Sequence, residues 1–131
     1  MLEAHLKQLS SQFSFPLDFE KDGEGYYQLM IDSSTAISIK ELPKGFICKS
    51  PVAALPAVEQ EDLLALLMRA NYLGQGTKGG VLALNETGQT IVFFSSLVHE
   101  YNFREFKEKI EEFVNYLNYW KTRIKDEATK R

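Results

Sequence analysis

The sequence predicts an α+β fold: three helices and five short strands in the order α-β-β-β-α-β-β-α. They form one domain over residues 1–131, a twisted, mainly antiparallel sheet flanked by helices. Three observations predict it. Apolar residues recur at helical spacing in three separate stretches. Between these stretches lie five short runs in which side chains alternate in character with period two. Brief turn clusters join neighbouring runs, too short for crossover connections, so the strands they link run antiparallel.

Leu2, Leu6, Leu9 and Phe13 fall at i, i+4, i+7 and i+11, one face of a helix over about residues 2–13, with Glu3, Lys7 and Gln8 on its other faces. Pro16 ends it. The turn cluster at residues 22–25 leads into YYQLMID, where Tyr27, Leu29 and Ile31 alternate with Tyr26, Gln28 and Met30. TAISIKEL alternates Ile37 and Ile39 with Ala36, Ser38 and Lys40. After a Pro-Lys-Gly turn, GFICKSPV alternates Phe46 and Cys48 with Ile47 and Lys49. These three strands form a meander.

The second helix is expected from about Val58 to Leu73. Glu59, Glu61 and Asp62 complement the dipole of its first turns, and Gly74 stands where a left-handed C-terminal cap belongs. GGVLALN and TIVFFSSL are two further strands, joined by the glycine-bearing turn NETGQ. The last helix begins at Asn102, a good N-cap, and runs beyond Lys121. Its stripe of Phe103, Phe106, Ile110, Phe113, Leu117, Trp120 and Ile124 repeats at intervals of three and four.

Net charge is −3, which disfavours nucleic acid and anionic lipid as partners. The basic tail from Lys121 is interrupted by Asp126 and Glu127 and reads as a solvated helix end. A lone cysteine, Cys48, allows no internal disulfide. The amphipathic start is no signal peptide, and no apolar run is long enough for a membrane helix, so the expected location is the cytoplasm.

The segment GQGTKGG fits G-x-G-x-x-G through Gly74, Gly76 and Gly79. Phosphate-binding loops of that pattern leave a strand and open a helix, so that N–H groups and the positive helix end face the anion. Here the loop leaves the carbonyl end of a helix and enters a strand. The expected roles are a cap at Gly74, a flexible turn through Gln75–Lys78 and close packing at Gly79–Gly80. His5, Cys48 and His99 lie on three different elements without metal-ligand spacing. Cys48 sits beside Phe46 in an alternating strand, a packing position and not that of a nucleophile. No catalytic residue, metal or cofactor is expected, and a small enzyme on a mixed sheet is disfavoured.

What stands out is apolar surface. On the second helix Leu63, Leu66, Leu67, Ala70 and Leu73 form one stripe. Leu64, Met68 and Tyr72 form another, roughly 100° away. One stripe can pack on the sheet; the other calls for a subunit interface, the competing expectation being a cover within the same domain. Tyr26, Tyr27, Met30 and Phe46 raise the same question more weakly for the first three strands.

With this element order the chain resembles the class I type III secretion chaperones, the CesT/SycE-like or Tir chaperone family. The resemblance covers nearly the whole chain. Its most telling stretch is LLALLMRANYLGQGTKGGVLALNETGQTIVFFSSL, with Leu66, Leu67 and Asn71 within the second helix. It implies a homodimer built around Leu64, Met68, Asn71 and Tyr72, although pairing with a different chaperone subunit stays open because Tyr116 and Tyr119 stand outside the last helix's main seam. It implies further that the N-terminal segment of a secreted effector protein wraps the outside in extended form. Its apolar residues would enter grooves involving Leu6, Leu9, Phe13, Tyr27, Leu29, Ile31, Ile37, Ile39 and Phe46. The implied function is a cytoplasmic chaperone that keeps that segment soluble and non-globular and delivers it to the secretion apparatus. The alternative is a regulatory or scaffold domain of the same fold that binds a folded partner.

Overall fold

A computed structural model describes residues 2–14, 17–18, 21–57 and 60–129. The elements follow the expected order. Helix α1 is Leu2–Phe13. Strands β1 (Leu17–Asp18), β2 (Tyr27–Asp32), β3 (Thr35–Glu41) and β4 (Phe46–Ala54) come next. Helix α2 is Gln60–Asn71, followed by a single 3₁₀ turn at Tyr72–Gly74. Strands β5 (Val81–Leu84) and β6 (Thr90–Leu97) and helix α3 (Phe103–Thr129) complete the chain. The fold is α+β, a mainly antiparallel sheet with flanking helices, in the strand order β1-β2-β3-β4-β6-β5. The two-residue β1 was not expected from sequence. The expected helix stop at Pro16 and helix start at Val58 lie outside the described residues.

The chain forms two compact units, residues 1–50 with 96–112 and residues 51–95 with 113–131. In the first unit, β2, β3 and β4 pair in antiparallel register, Tyr27 opposite Ile39, Leu29 opposite Ile37 and Ile39 opposite Cys48. Residues in register share a face, so the period-two pattern puts Tyr27, Leu29, Ile37, Ile39, Phe46 and Cys48 on one buried side. Leu2, Leu6 and Leu9 of α1 are buried with them. Phe46 meets Tyr101 and Phe106 edge to face at 5.0 and 5.2 Å, the arrangement aromatic quadrupoles favour. Two polar ties fix α1: the Leu2 N–H donates to Glu41 Oε1 at 3.1 Å, and the Tyr27 hydroxyl donates to Glu3 Oε2 at 3.2 Å.

In the second unit, β5 and β6 form an antiparallel hairpin, Leu82 opposite Phe93. The Asn85 carboxamide closes its turn by accepting from the Gln89 and Thr90 N–H groups. Leu63, Leu67 and Ala70 of α2 are buried, as are Leu82, Ile91, Phe93, Phe113, Leu117, Trp120 and Ile124. Phe93 stacks on Phe113 at 4.9 Å. Helix α3 opens with a reciprocal capping box. Asn102 Oδ1 accepts from the Glu105 N–H at 2.8 Å, and Glu105 Oε1 accepts from the Asn102 N–H at 3.3 Å.

Candidate functional site

In the second unit the two stripes of α2 have different fates. Leu63, Leu67 and Ala70 bury, and Leu66 is half-buried. Leu73, expected on the same stripe, is 81 % exposed. The helix ends at Asn71, and the chain turns left-handed already at Leu73 (φ 54°), one residue before the expected cap at Gly74 (φ 68°). That turn swings Leu73 off the helical face. On the other stripe Leu64 is half-buried, Met68 74 % exposed and Tyr72 59 % exposed. Val81 and Leu84 of β5 are also exposed. Leaving side chains of this size in water forgoes about 1.5–3 kcal/mol each when fully exposed. Asn71, expected beside them, does internal work. Its carboxamide accepts from the Leu82 N–H at 2.8 Å and donates to the Leu82 carbonyl at 2.7 Å, satisfying backbone groups that β6 does not use.

In the first unit the residues expected to line effector grooves divide. Leu6, Leu9, Tyr27, Leu29, Ile37, Ile39 and Phe46 are no more than 4 % exposed. They are the core, and no added chain reaches them without repacking. The reason is the strand period itself: the most apolar positions of a one-sided sheet point inward, and the alternate positions point out. Phe13 is 44 % exposed with the Lys107 ammonium 5.0 Å from its ring, and Ile31 is half-buried. The outward positions of these strands, Tyr26 and Met30 among them, are mixed in character. Tyr26 has the Lys49 ammonium 4.0 Å and the Lys40 ammonium 5.6 Å from its ring centre, and the Ser38 hydroxyl donates to Gln28 Oε1 at 3.0 Å.

The glycine segment is a built turn. The Gly76 N–H donates to the Ala70 carbonyl at 2.9 Å, and a Cβ on Gly76 would come within 2.9 Å of the Ala70 Cα. The buried Thr77 hydroxyl donates to the Gly80 carbonyl at 2.6 Å and anchors the middle of the turn expected through residues 75–78, while Gln75 and Lys78 stay exposed. Gly80 presses on Phe93 as expected, whereas Gly79 has open space and serves only a positive φ.

Burial pushes the Cys48 thiol up to about 12, so it stays protonated and unreactive near neutrality. His5 lies against the rings of Tyr101, Phe103 and Phe106 at 5.2, 6.0 and 5.7 Å, and desolvation lowers its pKa. Among the described residues no three His, Cys, Asp or Glu side chains gather to hold a metal, and no helix is long and apolar enough to cross a membrane.

Comparison with known proteins bears on family and fold. The profile of the Tir chaperone protein (CesT) family matches residues 4–121. No curated protein sequence matches. A chain of the HopA1–SchA chaperone–effector complex superposes with a TM-score of 0.66 at 17 % identity, covering 92 % of this chain and 93 % of that one. A chain of the ExsC–ExsE complex gives 0.70 at 12 % identity, covering 92 % and 91 %. YbjN from E. coli, provisionally described as a transcription regulator, gives 0.72 at 11 % identity, covering 97 % and 93 %. At these identities the structures speak for the fold, and the profile, spanning most of the sequence, speaks for descent: the chain belongs to the Tir chaperone (CesT) family of type III secretion chaperones.

Proposed function

We propose that the protein is a cytoplasmic, non-enzymatic chaperone that binds the N-terminal segment of a type III secreted effector, keeps it soluble and non-globular, and delivers it to the secretion apparatus. The observation that carries this reading is the family match over residues 4–121. The likeness to a chain of a chaperone–effector complex supports it. So does the character of the surface, where large apolar side chains stand in water. The working form is a homodimer joined through Leu64, Met68 and Tyr72, with Asn71 bracing β5 behind them. Effector contacts fall on side chains that reach the surface of the first unit, Phe13, Ile31, Tyr26 and Met30, with the buried residues setting their positions. Strand addition along a sheet edge would supply main-chain hydrogen bonds and the outward side chains selectivity.

The test is affinity isolation from the native bacterium, followed by limited proteolysis of the captured complex. A partner protected only over an extended N-terminal stretch, and poorly secreted when this protein is deleted, is the expected result. A partner that binds as a folded domain, with its isolated N-terminal segment inert, would instead favour the regulatory reading. The likeness to YbjN keeps that reading in view.

A further inference from the structure

Within the second unit a cleft of about 690 Å³ lies between α2 and the second half of α3. Leu66 and Ala70 form one wall, Tyr116, Tyr119 and Trp120 the other, and the turn at Gly76 closes one end. The cleft is held in shape. The Trp120 indole N–H donates to the Gly76 carbonyl at 3.0 Å, and the Tyr119 ring stands perpendicular to the indole at 5.2 Å. Gly76 can approach α2 so closely because it carries no Cβ. The charged side chain on the lining is Arg69. It is exposed, and among the described residues no carboxylate pairs with it. A guanidinium that no described carboxylate pairs with, beside an aromatic wall, selects an occupant carrying a carboxylate next to a large apolar group.

We propose that this cleft is a docking site for a short protein segment pairing an aromatic or leucine side chain with a neighbouring aspartate or glutamate. A segment of chain fits better than a free small molecule. Small-molecule sites enclose roughly 70–90 % of their ligand, whereas here Arg69, Gln75, Asn115 and Tyr119 are all exposed at the rim. The apolar anchor lies on Trp120 and Tyr116, the carboxylate meets Arg69, and the rest of the segment stays outside. Arg69 lies about 100° around α2 from Met68, and the site depends neither on a dimer through Met68 nor on effector contacts in the first unit.

Trp120 is the sole tryptophan, so its emission reports directly on the cleft. The experiment selects a displayed library of random short peptides on the purified protein and titrates the enriched peptides against Trp120 emission. The expected result is enrichment of an aromatic or leucine beside an acidic residue, with a saturable emission change. Arg69→Glu should weaken binding about tenfold or more, the loss of one charge-assisted contact, with the circular dichroism spectrum unchanged. Should Arg69→Glu lose its fold, Tyr119→Ala, also at an exposed position, carries the same test. Absence of enrichment, peptides indifferent to both substitutions, or binding that leaves Trp120 emission unmoved would overturn the proposal. So would a protein mass of two chains that drops to one in Arg69→Glu, because the occupant would then be a second copy.

Discussion

The two units use similar apolar patterns to opposite ends. In the first, the alternating residues of β2, β3 and β4 bury against one another with Leu2, Leu6 and Leu9 of α1, while Phe13 at the end of that stripe and Val98 reach water apart from each other in sequence, among charged or amphipathic side chains such as Glu3, Lys7, Tyr26 and Lys49. In the second, α2 and the turn after it bury one stripe and leave Met68, Tyr72 and Leu73 in solvent, and β5 leaves Val81 and Leu84 exposed as well. Periodicity tells which residues share a face. It does not tell whether that face is covered by the same chain, by another, or by water.

The sharpest way to break the contrast is Phe46→Ala. Phe46 is fully buried among Tyr101 and Phe106, so its truncation should cost about 3–5 kcal/mol in urea unfolding and leave the oligomeric state of the folded fraction unchanged. A cost under about 1 kcal/mol would mean that the first unit is not closed as described. Asn71→Ala sharpens the contrast from the other side. It strips two hydrogen bonds from Leu82, and a loss of about 1–3 kcal/mol is expected from the groups left unpaired. Unchanged stability with a halved mass would place Asn71 on the partner's side instead. Asn102→Ala removes one half of the capping box of α3 and should cost about 0.5–2 kcal/mol, read from the thermal midpoint.

The smallest effect is one of pH. His5 is held neutral in its aromatic setting, desolvation first and the chain's amino terminus second, so its folded pKa lies below the ordinary value of 6.5. The unfolded chain therefore binds the proton more readily. The stability tied to neutral His5 is complete above pH 6.5 and declines as the pH falls through the folded pKa. His5→Phe should flatten that part of the stability–pH curve, and a curve identical to wild type would remove His5 as its source.

The helices and the five longer strands were legible because each has a long or regular apolar period, and the N-cap at Asn102 was legible as an asparagine just ahead of the last stripe; the return bond from Glu105, three residues on, was not read. Strand β1 was not legible, since two residues carry no period. The exposure of Leu73 was hidden because a left-handed turn at a leucine breaks the helical count without a glycine to announce it. The groove residues were read too deep: apolarity marks both core and docking surface, and Leu29 or Ile39 differ from a contact residue only in which way the strand faces. Asn71 and the Arg69–Trp120 cleft depend on contacts between residues distant in sequence, Asn71 with Leu82 and Trp120 with Gly76, which no local pattern encodes.

The most direct test of the open face on α2 is light scattering behind size exclusion, across a dilution series, for wild type and Met68→Glu. Wild type near twice 15.0 kDa, and Met68→Glu near 15.0 kDa with native circular dichroism, is the predicted result. A wild-type protein that stays folded at 15.0 kDa at every concentration, with Met68→Glu indistinguishable from it, would contradict the account.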